Sequence, residues 1–407
     1  MGAIMALQQK LNSKVWNILT GTFFTRTALF MSTPFLAIFL TNQKDLPILH
    51  SGYILSMNPL INVLFGGFGG GLADRFSLKK IIGCVPIAWG TVFILFYFAD
   101  SFWQFLLLSC LNGLCYSIFE PASKKVLSTQ TLPENRLLVF NLRYTAINLG
   151  AFIGPLLSLL FNMKMTLFPY VILGIFYILY GISTWFFFRD LSEVTAPKQQ
   201  KKHYSLRRAF SMLRKDHVFL LLLAGMSFSF FGYSQLNATV SQFMANTVTL
   251  TNGIQLYSTL LSLNGIIILV TQFAILRWIA SWNPFNVVLA SNLLIGISFL
   301  SLIHSTSYTL LLLFIVLYSL GELLIGARFD TLVDELATEE SKGLYFGCSE
   351  SVKIGTICGP IIGTLLLEQF GLESGLPVFG LLCLITITGA GLIYLAKLKH
   401  SRGDIRN

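Results

Sequence analysis

The sequence is poor in charge. Only 11% of its 407 residues are Asp, Glu, Lys or Arg, where soluble domains carry about 25%. That shortage excludes a water-soluble fold, because a chain that is 54% hydrophobic could not cover its cores with so few charged side chains. Histidine is scarce as well. The five histidines (His50, His203, His217, His304 and His400) fall at the edges of apolar blocks or in polar stretches, which suggests neither a metal site nor a catalytic triad in the apolar interior. The six cysteines (Cys84, Cys110, Cys115, Cys348, Cys358 and Cys383) lie inside apolar blocks without metal-ligand spacing. They read as small hydrophobes rather than a disulfide framework. No G-x-x-x-x-G-K-[ST] phosphate loop occurs. An enzyme is not expected, nor a metal or cofactor, and any energy would come from an ion gradient or from the substrate's own gradient.

What the chain does have is apolar blocks of roughly 20 residues, the length that crosses a hydrocarbon core of about 30 Å. With no water to satisfy the backbone, such blocks must be helices rather than open strands. Breaks in the pattern place spans at 15–40, 51–72, 81–99, 102–126, 138–161, 167–188, 217–242, 254–276, 285–304, 307–328, 343–368 and 376–396. The first block is too long for a cleavable signal peptide and is followed by further spans. The expected fold is all-α and integral to the membrane, with twelve transmembrane helices in two pseudo-symmetric six-helix bundles. The bundles are expected over 1–188 and 217–407, joined by the polar linker 189–216.

The net charge of +10 is not spread evenly. Of the 28 lysines and arginines, Lys44 and Lys164 lie in odd-numbered loops and Arg26, Arg143 and Lys353 lie well within spans; the other 23 lie at the termini, in even-numbered loops or at the span ends that border those loops. The positive-inside rule therefore puts both termini and the 189–216 linker in the cytoplasm. The basic excess is topogenic, with some contact to anionic membrane lipids, and argues against a nucleic-acid partner. Short loops suggest a bacterial inner (plasma) membrane. A monomer is expected.

The halves repeat. At an offset of 205 residues, Gly150-Ala-Phe-Ile-Gly154-Pro155 falls on Gly355-Thr-Ile-Cys-Gly359-Pro360, Ala122 on Ala327 and Glu134 on Glu339. Glycines four apart let membrane helices pack closely, which explains one copy. Two copies at equivalent places with matched flanks point to an internally duplicated transporter fold.

Between spans two and three runs Gly70-Gly71-Leu72-Ala73-Asp74-Arg75-Phe76-Ser77-Leu78-Lys79-Lys80. It resembles the signature G-x-L-a-D-r-x-G-r-k of the major facilitator superfamily at Gly70, Leu72, Ala73, Asp74, Arg75 and Lys79. It departs at Ser77 and Leu78, where the family usually has Gly and Arg. A carboxylate there can accept from a helix N-terminus or from an arginine, which would make Gly70, Asp74, Arg75 and Lys79 a cytoplasmic gate. Gly150-x-x-x-Gly154-Pro155 looks like the family's antiporter motif, although Ser158-Leu159 stand where Gly-Gly is frequent. Span four has Asn112-Gly113 but Ser109 in place of the arginine that many members carry. Among its branches the sequence is most similar to the twelve-span drug:proton antiporters. Members of that branch often place a carboxylate after a mid-membrane glycine to bind a proton or cation, as in Gly321-Glu322. The resemblance thus implies alternating access to a central cavity and a small-molecule substrate exchanged for protons.

Six ionisable residues lie within spans and clear of their ends: Arg26, Glu120, Arg143, Glu322, Glu350 and Lys353. Each would cost about 2.5–3.5 kcal/mol at a helix centre unless paired or functional. Glu350 and Lys353 are i,i+3 and share a face; Glu120 and Arg143 lie on consecutive spans and could meet. Glu322 has no obvious partner on its own helix, so proton-coupling candidates run Glu322, Glu120, Glu350. Arg26 could bind an anionic substrate group or hold a carboxylate, with the second favoured. Arg26, Arg143, Tyr144, Asn148, Tyr233, Asn237 and Lys353 are candidates to line a substrate cavity, beside Asn58, Asn62, Gln235, Asn264 and Gln272. The leading expectation is proton-coupled export of small amphipathic compounds. A dedicated metabolite, siderophore or metallophore exporter, an uptake symporter, and a receptor or assembly factor on the same scaffold stay open.

Overall fold

The structure, a computed structural model, describes residues 11–75, 77–161, 166–189, 216–246, 253–303, 307–337, 342–372 and 374–404. Apart from its two end residues the expected linker lies outside these residues, as do Lys164 and Glu339.

Every regular element among the described residues is helical. Span one runs Ser13–Ser32, passes through a 3₁₀ turn at Thr33–Phe35 and ends as Leu36–Asn42. Pro34 causes that break, since it has no N–H to continue the ladder. Spans two to six are Ile48–Arg75, Leu78–Tyr97, Phe102–Thr129, Arg136–Leu160 and Phe168–Phe187. Span seven is His217–Ser234, a π turn at Leu236–Val240, and Ser241–Asn246. Spans eight to ten are Gly253–Trp278, Pro284–Ser298 with a 3₁₀ turn at Phe299–Leu302, and Tyr308–Leu336. Span eleven is Lys342–Ser349, a 3₁₀ turn at Glu350–Lys353 and Ile354–Phe370; span twelve is Gly375–Asp404. Among the described residues 11 helices are long and apolar enough to cross a bilayer. Span five is the exception, because Arg136, Asn141, Arg143 and Asn148 sit on its 25 residues.

Side chains close the helix starts where the sequence turns. Ser101 and Gln104 form a reciprocal capping box on span four, and Asn283 accepts from the Phe285 N–H at 2.9 Å, with Pro284 in the first turn of span nine. Each such cap contributes about 1 kcal/mol. Most helices run past the ends expected from composition. The Gly70–Arg75 stretch is the last part of span two, and spans ten and twelve run on furthest, to Leu336 and Asp404. Charge marks where the apolar surface ends, but the backbone ladder can go on in water.

The chain divides into two compact units: Met1–His50 with Met57–Val194, and Ser51–Ser56 with Thr195–Asn407. In the first, span one packs against five and six, and span three against four and six. In the second, span seven packs against eleven and twelve, and span nine against ten and twelve. Ser56 belongs with the second unit, its Oγ donating to the Ile357 carbonyl at 2.7 Å.

The repeated glycines make the same kind of contact in each unit. A Cβ on Gly154 would stand 2.6 Å from the Thr27 carbonyl oxygen, and one on Gly150 2.8 Å from the Thr27 nitrogen. In the second unit a Cβ on Gly355 would come 2.6 Å from the Phe231 nitrogen, and one on Gly359 3.0 Å from the Phe231 oxygen. Pro155 and Pro360 follow inside their helices. Span five thus lies on span one as span eleven lies on span seven, backbone to backbone.

Candidate functional site

In the first unit, spans one, four and five bring four charges together. The close approach at Gly150 sets the Arg26 backbone directly against span five. Arg143 Nη2 donates to Glu120 Oε1 at 2.6 Å. Arg26 Nη2 donates to Glu120 Oε2 at 3.5 Å, and Lys124, one turn along span four, places Nζ 3.8 Å from Oε1. Arg143 is 7% exposed and its Nε is buried without a partner. Pro121, inside span four, has no N–H for the Ser117 carbonyl, which loosens the ladder beside Glu120.

An aromatic shell surrounds this cluster. The Trp89 ring lies 4.6 Å from Tyr177 and 6.1 Å from Tyr116, centroid to centroid, and Phe119 lies 5.8 Å from Tyr180. Trp89 Nε1 donates to Asn112 Oδ1 at 2.8 Å, which satisfies the indole in an otherwise apolar setting. Tyr116 is in hydrogen-bonding reach of Arg26. Sequence reasoning missed Trp89, Tyr116, Tyr177 and Tyr180. With 36 Phe, 14 Tyr and 6 Trp in the chain, no single aromatic stands out. Tyr144, a candidate to line a substrate cavity, is exposed, and Asn148 turns back to donate to the Tyr144 carbonyl on its own helix at 3.1 Å.

The second unit holds Glu322 in different company. Asn264 of span eight donates to Glu322 Oε2 at 2.8 Å and lies 3.0 Å from Ser319 Oγ. Among the described residues no Lys, Arg or His comes within ion-pair distance of it. Gly321 lets span ten approach span nine: its carbonyl accepts from Ser291 Oγ at 2.6 Å, and a Cβ there would meet the Ser291 oxygen at 3.0 Å. Nearby, Tyr318 donates its hydroxyl to the Tyr233 carbonyl at 2.5 Å, and the two rings stack at 6.4 Å. Asn237 accepts from Tyr257 at 3.1 Å. These residues bring one carboxylate, two amides and a stacked tyrosine pair into a single polar patch within the unit.

The other expected site residues fall elsewhere. Lys353 and Glu350 pair with one another on the 3₁₀ turn of span eleven, where the Glu350 side chain is 60% exposed. Lys79 donates to the Arg189 carbonyl at 2.9 Å, beyond the end of span six. Gly70, Asp74 and Arg75 lie on span two, but their side chains are outside the described set. A separate groove of about 380 Å³, lined by residues such as Phe24, Met31, Ile153 and Phe176, offers nothing charged to orient a ligand.

Broken membrane helices, an internal repeat and ionisable groups inside apolar spans are the marks of a membrane transporter. Residues 18–353 match the Major Facilitator Superfamily, and the chain belongs to that family. It is 36% identical to the uncharacterized MFS-type transporter YqjV of Bacillus subtilis, over 94% of this chain and 92% of that protein. More distant relatives are a Na(+), Li(+), K(+)/H(+) antiporter of Planococcus maritimus, at 26% identity over 84% of this chain and 87% of that protein, and the multidrug resistance protein MdtG of a Rahnella strain, at 24% over 92% and 91%. The peptide transporter POT in complex with sulfate shares the fold, with a TM-score of 0.77 at 15% identity, over 96% of this chain and 95% of that one. So does the nucleoside transporter NupG, with a TM-score of 0.75 at 12% identity, over 94% and 99%.

Proposed function

We propose that this transporter is a proton-coupled exporter of small amphipathic compounds, working by alternating access. The observation that carries the reading is Glu322: a carboxylate inside a membrane span whose neighbours are an amide and hydroxyls rather than a cation. A charge so placed is costly, and taking up a proton removes the cost. Glu120, with both oxygens facing guanidinium groups, already has its counter-charges. Relatives named as an antiporter and as a multidrug resistance protein support the same direction. In this reading both termini and the 189–216 linker are cytoplasmic, the halves 1–188 and 217–407 act as the two moving bodies, and the Asp74 motif is the cytoplasmic gate. The cell inner membrane is its place.

The test is substrate flux in proteoliposomes with and without an imposed pH gradient. Glu322→Gln keeps the shape of the protonated acid. It is expected to bind substrate, to retain downhill exchange and to lose gradient-driven transport by about 100-fold, the scale on which a proton-transfer group acts. Undiminished gradient dependence in Glu322→Gln would move the proton site elsewhere. A wild type indifferent to the gradient would end the antiporter reading.

A further inference from the structure

The cluster around Glu120 holds more positive charge than it neutralises. Three cations, Arg26, Arg143 and Lys124, share one carboxylate, and among the described residues no second acid comes within 4 Å of them. Both carboxylate oxygens are taken, Oε1 by Arg143 and Lys124 and Oε2 by Arg26. Yet the Nε–H of Arg143, in a residue 7% exposed, points at no acceptor. A guanidinium offers five donors in a fixed fork, and a buried donor left unmade is expensive. Lys124 is 56% exposed and answered by water, whereas Arg26 and Arg143 are largely buried. The buried part of the cluster therefore holds two cations for one anion, beside the rings of Trp89, Tyr116, Phe119, Tyr177 and Tyr180.

We infer that Arg26, Arg143 and Lys124 bind the oxyanion head of the substrate, an amphipathic carboxylate, sulfonate or phosphate, with the half-buried Tyr116 ring beside Arg26 flanking its apolar body. Glu120 is the internal placeholder: it keeps the arginines in position while the site is empty and competes with the ligand for their donors. The inference names the substrate class for the transport reading above and rests on that reading. Bidentate geometry favours the guanidinium pair for a planar oxyanion. Flat rings with polar edges suit a ligand that is part apolar and part hydrogen-bonding.

The probe is benzoate, set against benzyl alcohol and benzylammonium, read as the thermal midpoint of the purified full-length protein in detergent. Benzoate is expected to raise the midpoint of the wild type with concentration, by the mass action of native-state binding, while the neutral and cationic counterparts do not. In Glu120→Gln, with the competitor gone, half-saturation should fall about tenfold; in Arg143→Gln it should rise about tenfold, the worth of one charge-assisted hydrogen bond. Arg143→Lys restores charge without the fork and should lie between. Should Arg143→Gln fail to fold, Arg26→Gln carries the same expectation. Equal responses to benzoate and benzyl alcohol, a response unchanged in the arginine variants, or no response up to about 10 mM, a millimolar affinity being the weakest useful one, each overturns the site. A response to phosphatidylglycerol in place of benzoate would assign it to a lipid headgroup and overturn the solute assignment. No gradient enters this assay. Benzoate binding without pH-driven flux would therefore remove the exporter reading alone, and flux without benzoate binding the anion site alone.

Discussion

Glu120 and Glu322 are both carboxylates on membrane helices, and the chain surrounds them in opposite ways. Glu120 faces two arginines and a lysine; Glu322 faces Asn264, with Ser319 beside that amide. The first arrangement spends its charge on holding three helices together and leaves cationic capacity over. The second leaves the charge of the acid itself unanswered. In the two proposals made above, one unit offers an anion a place and the other offers a proton one. Residue type alone could not separate these roles. The difference lies in which spans meet, and so in the glycines that bring spans one and five, or nine and ten, into contact.

The sharpest way to break this comparison is to remove a partner from each side. Arg143→Met leaves Glu120 with only the long contacts to Arg26 and Lys124 and should cost about 3–5 kcal/mol. Glu322→Gln still accepts from Asn264 and should cost about 1 kcal/mol. Unfolding titrations of both in detergent micelles decide it, and equal losses would mean that the two acids are braces of one kind. Smaller effects are expected at the duplicated glycines. Gly154→Ala and Gly359→Ala each force a methyl against a backbone oxygen of the partner helix and should cost about 1–3 kcal/mol. Gly154→Ala should also disturb benzoate binding, because span one carries Arg26, whereas Gly359→Ala should not. The smallest effect belongs to Lys353→Met. Its pair with Glu350 is half in water, and such pairs contribute about 0–1 kcal/mol, so a thermal midpoint close to wild type is expected. A drop as large as that of Arg143→Met would place the pair in the working machinery.

The number and order of spans were legible because apolar length and basic flanks are local properties. Span five was legible only as a block between breaks, since Arg143 and Asn148 dilute it. Helix ends were not legible. Arg328, Asp334 and Glu335 end the apolar run but sit comfortably on a helix that continues to Leu336, and Arg328 binds the Ile279 and Ala280 carbonyls at 2.8 Å. The meeting of Glu120 with Arg143 could be expected from two consecutive helices. That Arg26, 94 residues away, reaches the same carboxylate depends on the crossing at Gly150, which spacing does not encode. Asn264 could be named as a polar residue of a candidate pore helix, but its bond to Glu322 spans 58 residues and rests on helix rotation.

The π turn of span seven carries one more consequence. Val240 donates to the Gln235 carbonyl at 2.9 Å, five residues back, while Gln235 ties its own side chain to the Gly359 carbonyl and to Thr239. An inserted residue of this kind turns every later side chain by about 100° relative to a straight helix. It also interrupts the ladder through which helical protection spreads. Amide hydrogens of Ser241–Asn246 should therefore exchange with deuterium independently of those of His217–Ser234. Span seven would then open as two cooperative segments hinged at Gln235.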